Sequence, residues 1–151
     1  MGDKLIFGSV VGLLADVVKL LFNYLGYLFN FSNVVFWQII AVRFLPEKDL
    51  HRPVAYFIGG LADLAVAAAL GVTFVYLLSL TGWRYIYIKG SGFGIIIWVG
   101  LFGTLLSQTT HNVLALQSPA IVVTVFAHLL FGIALAFFTV KLKDFHTAKV
   151  D

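Results

Sequence analysis

The stretch GSVVGLLADVVKLLFN, residues 8–23, places Asp16 and Lys19 inside a longer apolar run, residues 5–28. A bilayer core of about 30 Å is crossed by roughly 20 apolar residues in a helix, and this run meets that length. A charge at the bilayer centre costs at least about 2.5 kcal/mol, so it needs a partner. Opposite charges three residues apart share a helix face. The stretch therefore predicts a spanning helix with an internal ion pair.

The composition of the whole chain is that of an integral membrane protein. Of its 151 residues, 61% are hydrophobic and 11% are charged, whereas soluble domains have about 45–50% apolar and about 25% charged residues. The formal net charge of +3 lies at loops and ends. This distribution favours contact with anionic lipid headgroups of the bilayer over a nucleic-acid partner, and we expect no nucleic acid to bind. The chain has no cysteine, which excludes disulfides and thiolate metal sites.

Four apolar runs predict a single transmembrane domain, residues 1–151. The predicted spans cover residues 5–28, 54–80, 93–110 and 120–142. Ser118 and Pro119 mark the start of the last span, because Ser is a preferred N-cap and Pro is favoured at the first helical position. A further apolar segment, residues 33–45, is too short to span, so we predict an interfacial or re-entrant helix there. The predicted fold class is all-α: a four-helix membrane bundle with one short extra helix between spans 1 and 2.

The distribution of basic residues predicts the orientation in a cell membrane. With four spans, six basic residues lie on one side and three on the other: Lys4, Arg84, Lys89, Lys141, Lys143 and Lys149 against Arg43, Lys48 and Arg52. Counting residues 33–45 as a fifth span gives four against five, which sets no orientation. Because cytoplasmic loops carry an excess of Lys and Arg, four spans predict a multi-pass protein with cytoplasmic N- and C-termini.

The segment TGWRYIYIKGSGFG, residues 81–94, predicts an interfacial loop between spans 2 and 3. Trp83, Tyr85 and Tyr87 suit the headgroup region, where amphipathic rings settle. The GSGFG run lacks the following Lys-Ser/Thr and the preceding buried strand of a phosphate-binding loop, so it predicts no nucleotide site.

Small and polar residues form one stripe on each predicted span. Seven glycines in these stripes are predicted to pack helix on helix: Gly8, Gly12, Gly59, Gly71, Gly100, Gly103 and Gly132. Small residues allow helix backbones to approach closely in a membrane, where lipid offers no hydrophobic drive for association. We therefore expect the stripes to face one another inside the bundle.

Four polar residues form a predicted intramembrane cluster: Asp16, Lys19, Asp63 and His128. At about 1.5 Å per residue, the last three lie roughly 12–15 Å from the same membrane face, with Asp16 one turn deeper. Such groups mark proton relays and ion pathways, but they also fix helix packing. Three hypotheses stay open for the cluster: structural hydrogen bonding, a proton or ion path, and a bound ligand or lipid headgroup.

Cofactors and enzyme activity are not expected. His111 and His128 lie at different predicted depths, which disfavours a haem held between them and a zinc site shared with Asp63. The paired motifs of intramembrane proteases are missing as well. We predict no metal, no cofactor and no catalytic residue.

Several short runs resemble one group of membrane proteins. Asn23-Tyr24-Leu25, IGGLADLAVAAALGVTFVYLL (58–78), IKGSGFGIIIW (88–98) and FAHLLFGIALAFF (126–138) are similar to those of an uncharacterised family of small four-span membrane proteins of anaerobic, spore-forming Gram-positive bacteria. The resemblance implies the four-span fold and no particular activity.

Two functions are compatible with these patterns. The first is a structural or accessory subunit that assembles with itself or with a larger membrane complex, because little chain remains outside the predicted spans. The alternative is an oligomeric proton or ion channel or transporter that uses the intramembrane cluster.

Overall fold

The described part of the protein consists of helices joined by turns and short irregular segments. The computed structural model covers residues 3–106, 114 and 116–147, and no strand occurs within these ranges. The helices are α1 (Lys4–Leu28), α2 (Phe36–Ala41), α3 (Pro53–Thr81), α4 (Ile86–Trp98) and α5 (Ser118–Thr147). A 3-10 turn (Glu47–Asp49) precedes α3, and a π-helical segment (Val99–Leu106) continues α4. The predicted all-α class is confirmed.

Three of the described helices are long and apolar enough to cross a membrane. They are α1, α3 and, in α5, the part from Ser118 to Lys143. The apolar helical stretch Ile86–Leu101, which is α4 with the first residues of its π-helical continuation, is shorter than a full span. These three helices indicate a membrane protein.

Local sequence signals set the ends of the long helices. The Asp3 carboxylate caps α1 by accepting a hydrogen bond from the backbone N–H of Leu5 at 2.8 Å. Pro53 occupies the first turn of α3, where its missing N–H would have had no helical partner. Gly82 follows α3 with a φ of +80°, a conformation that glycine adopts readily and that stops the helix.

The third predicted span begins earlier than its sequence indicates. Residues 86–94, predicted as part of an interfacial loop, form most of α4, which starts at Ile86 instead of Phe93. Lys89 Nζ donates to the carbonyl oxygens of Thr81 and Gly82, each at 2.9 Å. These bonds satisfy the last carbonyls of α3 and tie the two helices together. The loop prediction was wrong over residues 86–94, because it rested on aromatic residues suited to the interface, and one of them, Tyr87, lies in the first turn of α4.

The three long helices and α4 lie in a row in the order α3, α1, α5, α4. The large interfaces join α1 to α3, α1 to α5 and α4 to α5, whereas α3 has only slight contact with α4 and α5 among the described residues. A four-helix bundle closes when its first and last helices also pack together. The predicted four-helix bundle is therefore not confirmed. α2 packs against part of the remaining side of α3, and α4 touches α3 where the Phe74 and Phe93 rings lie 5.4 Å apart, centroid to centroid.

The segment predicted over residues 33–45 contains only the six-residue helix α2. The Trp37 backbone packs against Gly59 of α3, where a side chain would collide with it. The Gln38 side-chain amide donates to the carbonyl oxygen of Leu50 at 2.9 Å, which holds the segment in a compact reversal. The segment thus lies against α3, the spanning helix that follows it in the chain.

Two apolar clusters make up the core, and they meet at the polar residues of α1. One contains Phe36, Ile39 and Leu50 around α2. The other contains Phe74 and Phe131 among the long helices. The polar residues are therefore enclosed by apolar packing on several sides.

Candidate functional site

The buried face of α1 carries three polar side chains in succession. Asp16, Lys19 and Asn23 are buried at spacings of three and four residues, so they share one face of the helix. Asn23 Nδ2 donates to the carbonyl oxygen of Lys19 at 3.0 Å. This bond gives the amide of Asn23 a partner within α1, so that its buried polar side chain needs no water.

Lys19 binds two carboxylates at once. Its Nζ atom lies 2.6 Å from Asp16 Oδ1 on the same helix and 2.6 Å from Asp63 Oδ1 on α3. The exposed fractions are 0% for Asp16, 5% for Lys19 and 3% for Asp63. We call these three residues the charge cluster. Since both contacts are short and buried, they resemble strong charge-assisted interactions.

The charge cluster has more acceptors than the lysine satisfies. Two carboxylates and one ammonium leave one negative charge unbalanced when both acids are ionised. Asp16 Oδ2 and Asp63 Oδ2 have no hydrogen-bond partner in the described part of the chain, and Asp16 Oδ1 contacts Lys19 without hydrogen-bond geometry. The indole N–H of Trp37 lies beside Asp63 but also misses that geometry. The cluster can therefore accept a further donor.

His128 lies next to the charge cluster on the neighbouring helix α5. The side chain is buried, and its Nδ1 contacts the carbonyl oxygen of Thr124 at 2.8 Å. Because a carbonyl only accepts, Nδ1 carries the proton. The His128 ring packs 5.8 Å from that of Phe36, centroid to centroid. The structure thus brings the predicted polar residues of three helices into one region.

Two aromatic rings complete the surroundings of the lysine. Lys19 Nζ lies 4.6 Å from the ring centroid of Phe36 and 5.7 Å from that of Phe131. Both distances allow a cation–π interaction, which is strongest where water is excluded. Sequence reasoning missed these two residues. Phe131 follows His128 by three residues on the same helix face, which is a signal that could have identified it.

A pocket opens beside the charge cluster. It has a volume of about 180 Å³ and lies between α2, α3 and the buried residues of α1 and α5. Lys19, Asp63 and His128 contribute the buried polar part of its lining. Most other lining residues are apolar or aromatic: Phe36, Ile40, Phe44, Ala62, Val66, Ala67, Leu70, Leu101 and Phe131. Exposed Arg43 completes the wall.

Glycines allow α1 and α3 to approach closely next to the charge cluster. A Cβ atom on Gly12 would collide with the Ala67 backbone, and one on Gly71 would collide with the backbone of Gly8 and Gly12. Gly59 similarly faces the backbone of Trp37. The predicted packing positions on α1 and α3 therefore lie where backbones meet.

On α4, glycines other than the predicted ones face α5. Gly132 packs against the backbones of Gly90 and Gly94, with no room for a Cβ on any of the three. In contrast, a Cβ on Gly100 would meet no described atom within 4 Å, and one on Gly103 only the Val99 side chain at 3.8 Å. The packing role predicted for Gly100 and Gly103 is not found among the described residues. The reason is that the close approach occurs in the first turns of α4, a region whose sequence predicts a loop.

Metal and haem coordination have no candidate ligand set in the described part of the chain. No group of three or more His, Cys, Asp or Glu side chains there is placed to hold a metal ion. The haem and zinc alternatives considered above both need His111, which lies outside the described residues, as do residues 107–110 of the third predicted span.

The fold and this site define a helical membrane protein with a buried ion-pair cluster and a pocket beside it. No family model, curated protein or solved structure matches the chain.

Proposed function

We propose that this protein is a structural or accessory subunit that assembles with itself or with a larger complex in a cell membrane. The small interface between α3 and α4 carries the proposal. These two helices meet at Phe74 and Phe93, but each also leaves an exposed apolar side, with Leu61 on α3 and Ile96 on α4. A second copy or another membrane protein that packs there would complete a bundle. No catalytic function is part of the proposal.

The charge cluster has a structural role in this proposal. Its ion pairs join α1 to α3, and Lys19 touches a ring on α2 and another on α5. Backbones packed at Gly12 and Gly71 adjoin it, which leaves little room for a water-filled path along that interface. Such a cluster sets the register and choice of neighbouring helices.

The arrangement in the membrane is part of the same proposal. α4 with its π-helical continuation provides a fourth crossing, so that both termini lie in the cytoplasm, and α2 enters the membrane from the opposite side without crossing it. The basic-residue count supports this orientation. The Trp37 contact with Gly59 supports the placement of α2 against a spanning helix.

Native mass spectrometry of the protein extracted in a mild detergent tests the assembly. We expect a homo-oligomer of fixed size or a stoichiometric complex with another membrane protein. A strictly monomeric particle, both in detergent and in native lipid discs, would overturn the proposal.

A second candidate function is proton or ion transport by an oligomer. It is favoured by the excess of carboxylates over ammonium groups in the charge cluster, because such a group of acids can take up and release a proton. Asp63→Asn distinguishes the two functions. In a structural cluster, the amide keeps most hydrogen bonds and assembly stays nearly intact, whereas Asp63→Leu weakens it. In a transport path, Asp63→Asn abolishes proton flux into liposomes with assembly unchanged.

A further inference from the structure

The pocket beside the charge cluster has the size and walls of a small-molecule site. Its volume of about 180 Å³ is close to that of an engineered apolar cavity of about 150 Å³ that binds benzene. Ile40, Val66 and Leu70 provide apolar walls, and Val66 is an exposed residue at the side of α3. A molecule dissolved in the bilayer can therefore reach the pocket without crossing the helix row.

The inner end of the pocket favours a hydrogen-bond donor with positive charge. Asp63 lines it, and its Oδ2 atom is buried without a hydrogen-bond partner among the described residues, while Lys19 occupies Oδ1. One negative charge of the cluster is unbalanced when both carboxylates are ionised. A second ammonium group would neutralise that charge and donate to the unused oxygen.

The aromatic residues favour the same sign of charge. Phe36 and Phe131 line the pocket, and both already lie within cation–π distance of the lysine ammonium. Ring faces attract cations and disfavour anions. The charged and titratable residues that face this region are Asp16 and Lys19 on α1, Asp63 on α3 and His128 on α5, with Arg43 after α2 exposed in the pocket wall.

We propose that this pocket binds the primary ammonium group of a small amphiphilic molecule, with the ammonium at Asp63 and the apolar part against Ile40, Val66 and Leu70. Two sources provide this chemistry: a free apolar amine and the ethanolamine headgroup of a membrane lipid. The inference does not rest on the proposed accessory function, because it needs only the pocket within one chain.

Binding of three probes of equal size tests the proposal. Benzylamine, benzyl alcohol and benzoate are titrated by calorimetry into the purified protein in an uncharged detergent. We expect benzylamine to bind and the neutral and anionic probes to bind at least about tenfold more weakly, because only the cation makes a charge-assisted bond to a carboxylate. Failure of benzylamine to bind, or equal binding of benzyl alcohol, would overturn the proposal.

Substitutions in the pocket test whether benzylamine binds there. Val66→Trp fills the pocket from its side wall and should abolish binding of benzylamine, and Asp63→Asn should weaken it at least about tenfold. Val122→Trp is the matched control, since Val122 is a similarly exposed valine on α5 that does not line the pocket. Folding of each variant is checked by circular dichroism, and Val66→Trp keeps the test valid if Asp63→Asn fails to fold. Undiminished binding to folded Val66→Trp would contradict the assignment.

The lipid source is distinguished by competition. Added phosphatidylethanolamine should displace benzylamine if the headgroup is the ligand, whereas phosphatidylglycerol should not. Binding of benzylamine that neither lipid affects identifies a free amine as the ligand. Equal displacement by both lipids would show that acyl chains, and not the ammonium, fill the pocket, and would overturn the proposal.

Discussion

Lys19 and Asp63 lie 44 residues apart in the chain, yet Nζ of the lysine is 2.6 Å from Oδ1 of the aspartate across the interface of α1 and α3. The same Nζ is 2.6 Å from Asp16 Oδ1. Burial of charged groups is expensive, so each member of this cluster depends on the others to offset its desolvation. This dependence makes the cluster sensitive to loss of its one cation and less sensitive to removal of all three charges together.

Lys19→Met is expected to destabilise the protein by about 3–5 kcal/mol, because it leaves two buried carboxylates without their cation. The free energy of unfolding, measured by titration from mild detergent into a denaturing one, checks this value. Lys141→Met is the control, since Lys141 is exposed near the end of α5. Adding Asp16→Asn and Asp63→Asn to Lys19→Met should recover much of the loss. A triple variant no more stable than the single one would contradict the ion-pair explanation.

Gly71→Ala and Gly92→Ala are expected to change stability in opposite directions. A methyl group on Gly71 collides with the α1 backbone, so we expect a loss of about 1–3 kcal/mol. A methyl group on Gly92 meets no described atom within 4 Å, and alanine stabilises a helix over glycine by about 0.5–1 kcal/mol. Thermal unfolding in detergent measures both. An equal effect of the two substitutions would show that α1 and α3 do not approach as described.

Alanine substitutions distinguish the glycines that pack between α4 and α5 in the structure from those predicted to pack by the sequence. Gly94→Ala should lower the unfolding temperature because its methyl group meets the His128 backbone. Gly103→Ala should leave it unchanged or raise it slightly, since Gly103 is exposed and a Cβ there meets only the Val99 side chain, at 3.8 Å, among the described atoms. The reverse order of effects would place the packing face of α4 on the glycines predicted from sequence.

Cysteine labelling tests the placement of α2, and the chain has no cysteine of its own to interfere. Cysteines that replace Phe36 and Ile40 should react slowly with aqueous thiol reagents from either side of the membrane, because Phe36 is buried and Ile40 half-buried next to α3. A cysteine at exposed Lys48 should react fast. Rapid labelling at Phe36 would show that α2 lies in water.

Cysteine labelling also tests how many times the chain crosses the membrane. Lys48→Cys and Arg84→Cys should be labelled by a membrane-impermeant maleimide from opposite sides of sealed vesicles, because α3 separates these two exposed positions. A cysteine at Lys143 should be labelled from the same side as Arg84→Cys if α4 and its continuation cross the membrane. Labelling of the last two from opposite sides would exclude the four-span arrangement.

The helical periodicity of the sequence predicted most members of the charge cluster, but it predicted less of which helices pack together. The spacing of Asp16 and Lys19 brings them together on any helix, and the rise per residue predicted a common depth for Asp63. It did not predict that Lys19 would pair with Asp63, because that pairing depends on which helices are neighbours. Phe36 escaped notice for the same reason: a short segment folds back to reach Lys19.

The all-helical class, the three long apolar helices and the pairing of Asp16 with Lys19 can be read from the amino-acid sequence alone, because each follows from composition or from the geometry of a single helix. The order of the helices, the glycine pairs of α4 and α5, and the pocket beside Asp63 become visible only in three dimensions. The chain has 14 glycines, and a helix that is apolar on every side carries little information about which of them pack against a neighbour. Backbone proximity between distant segments therefore selects the pairs that are used.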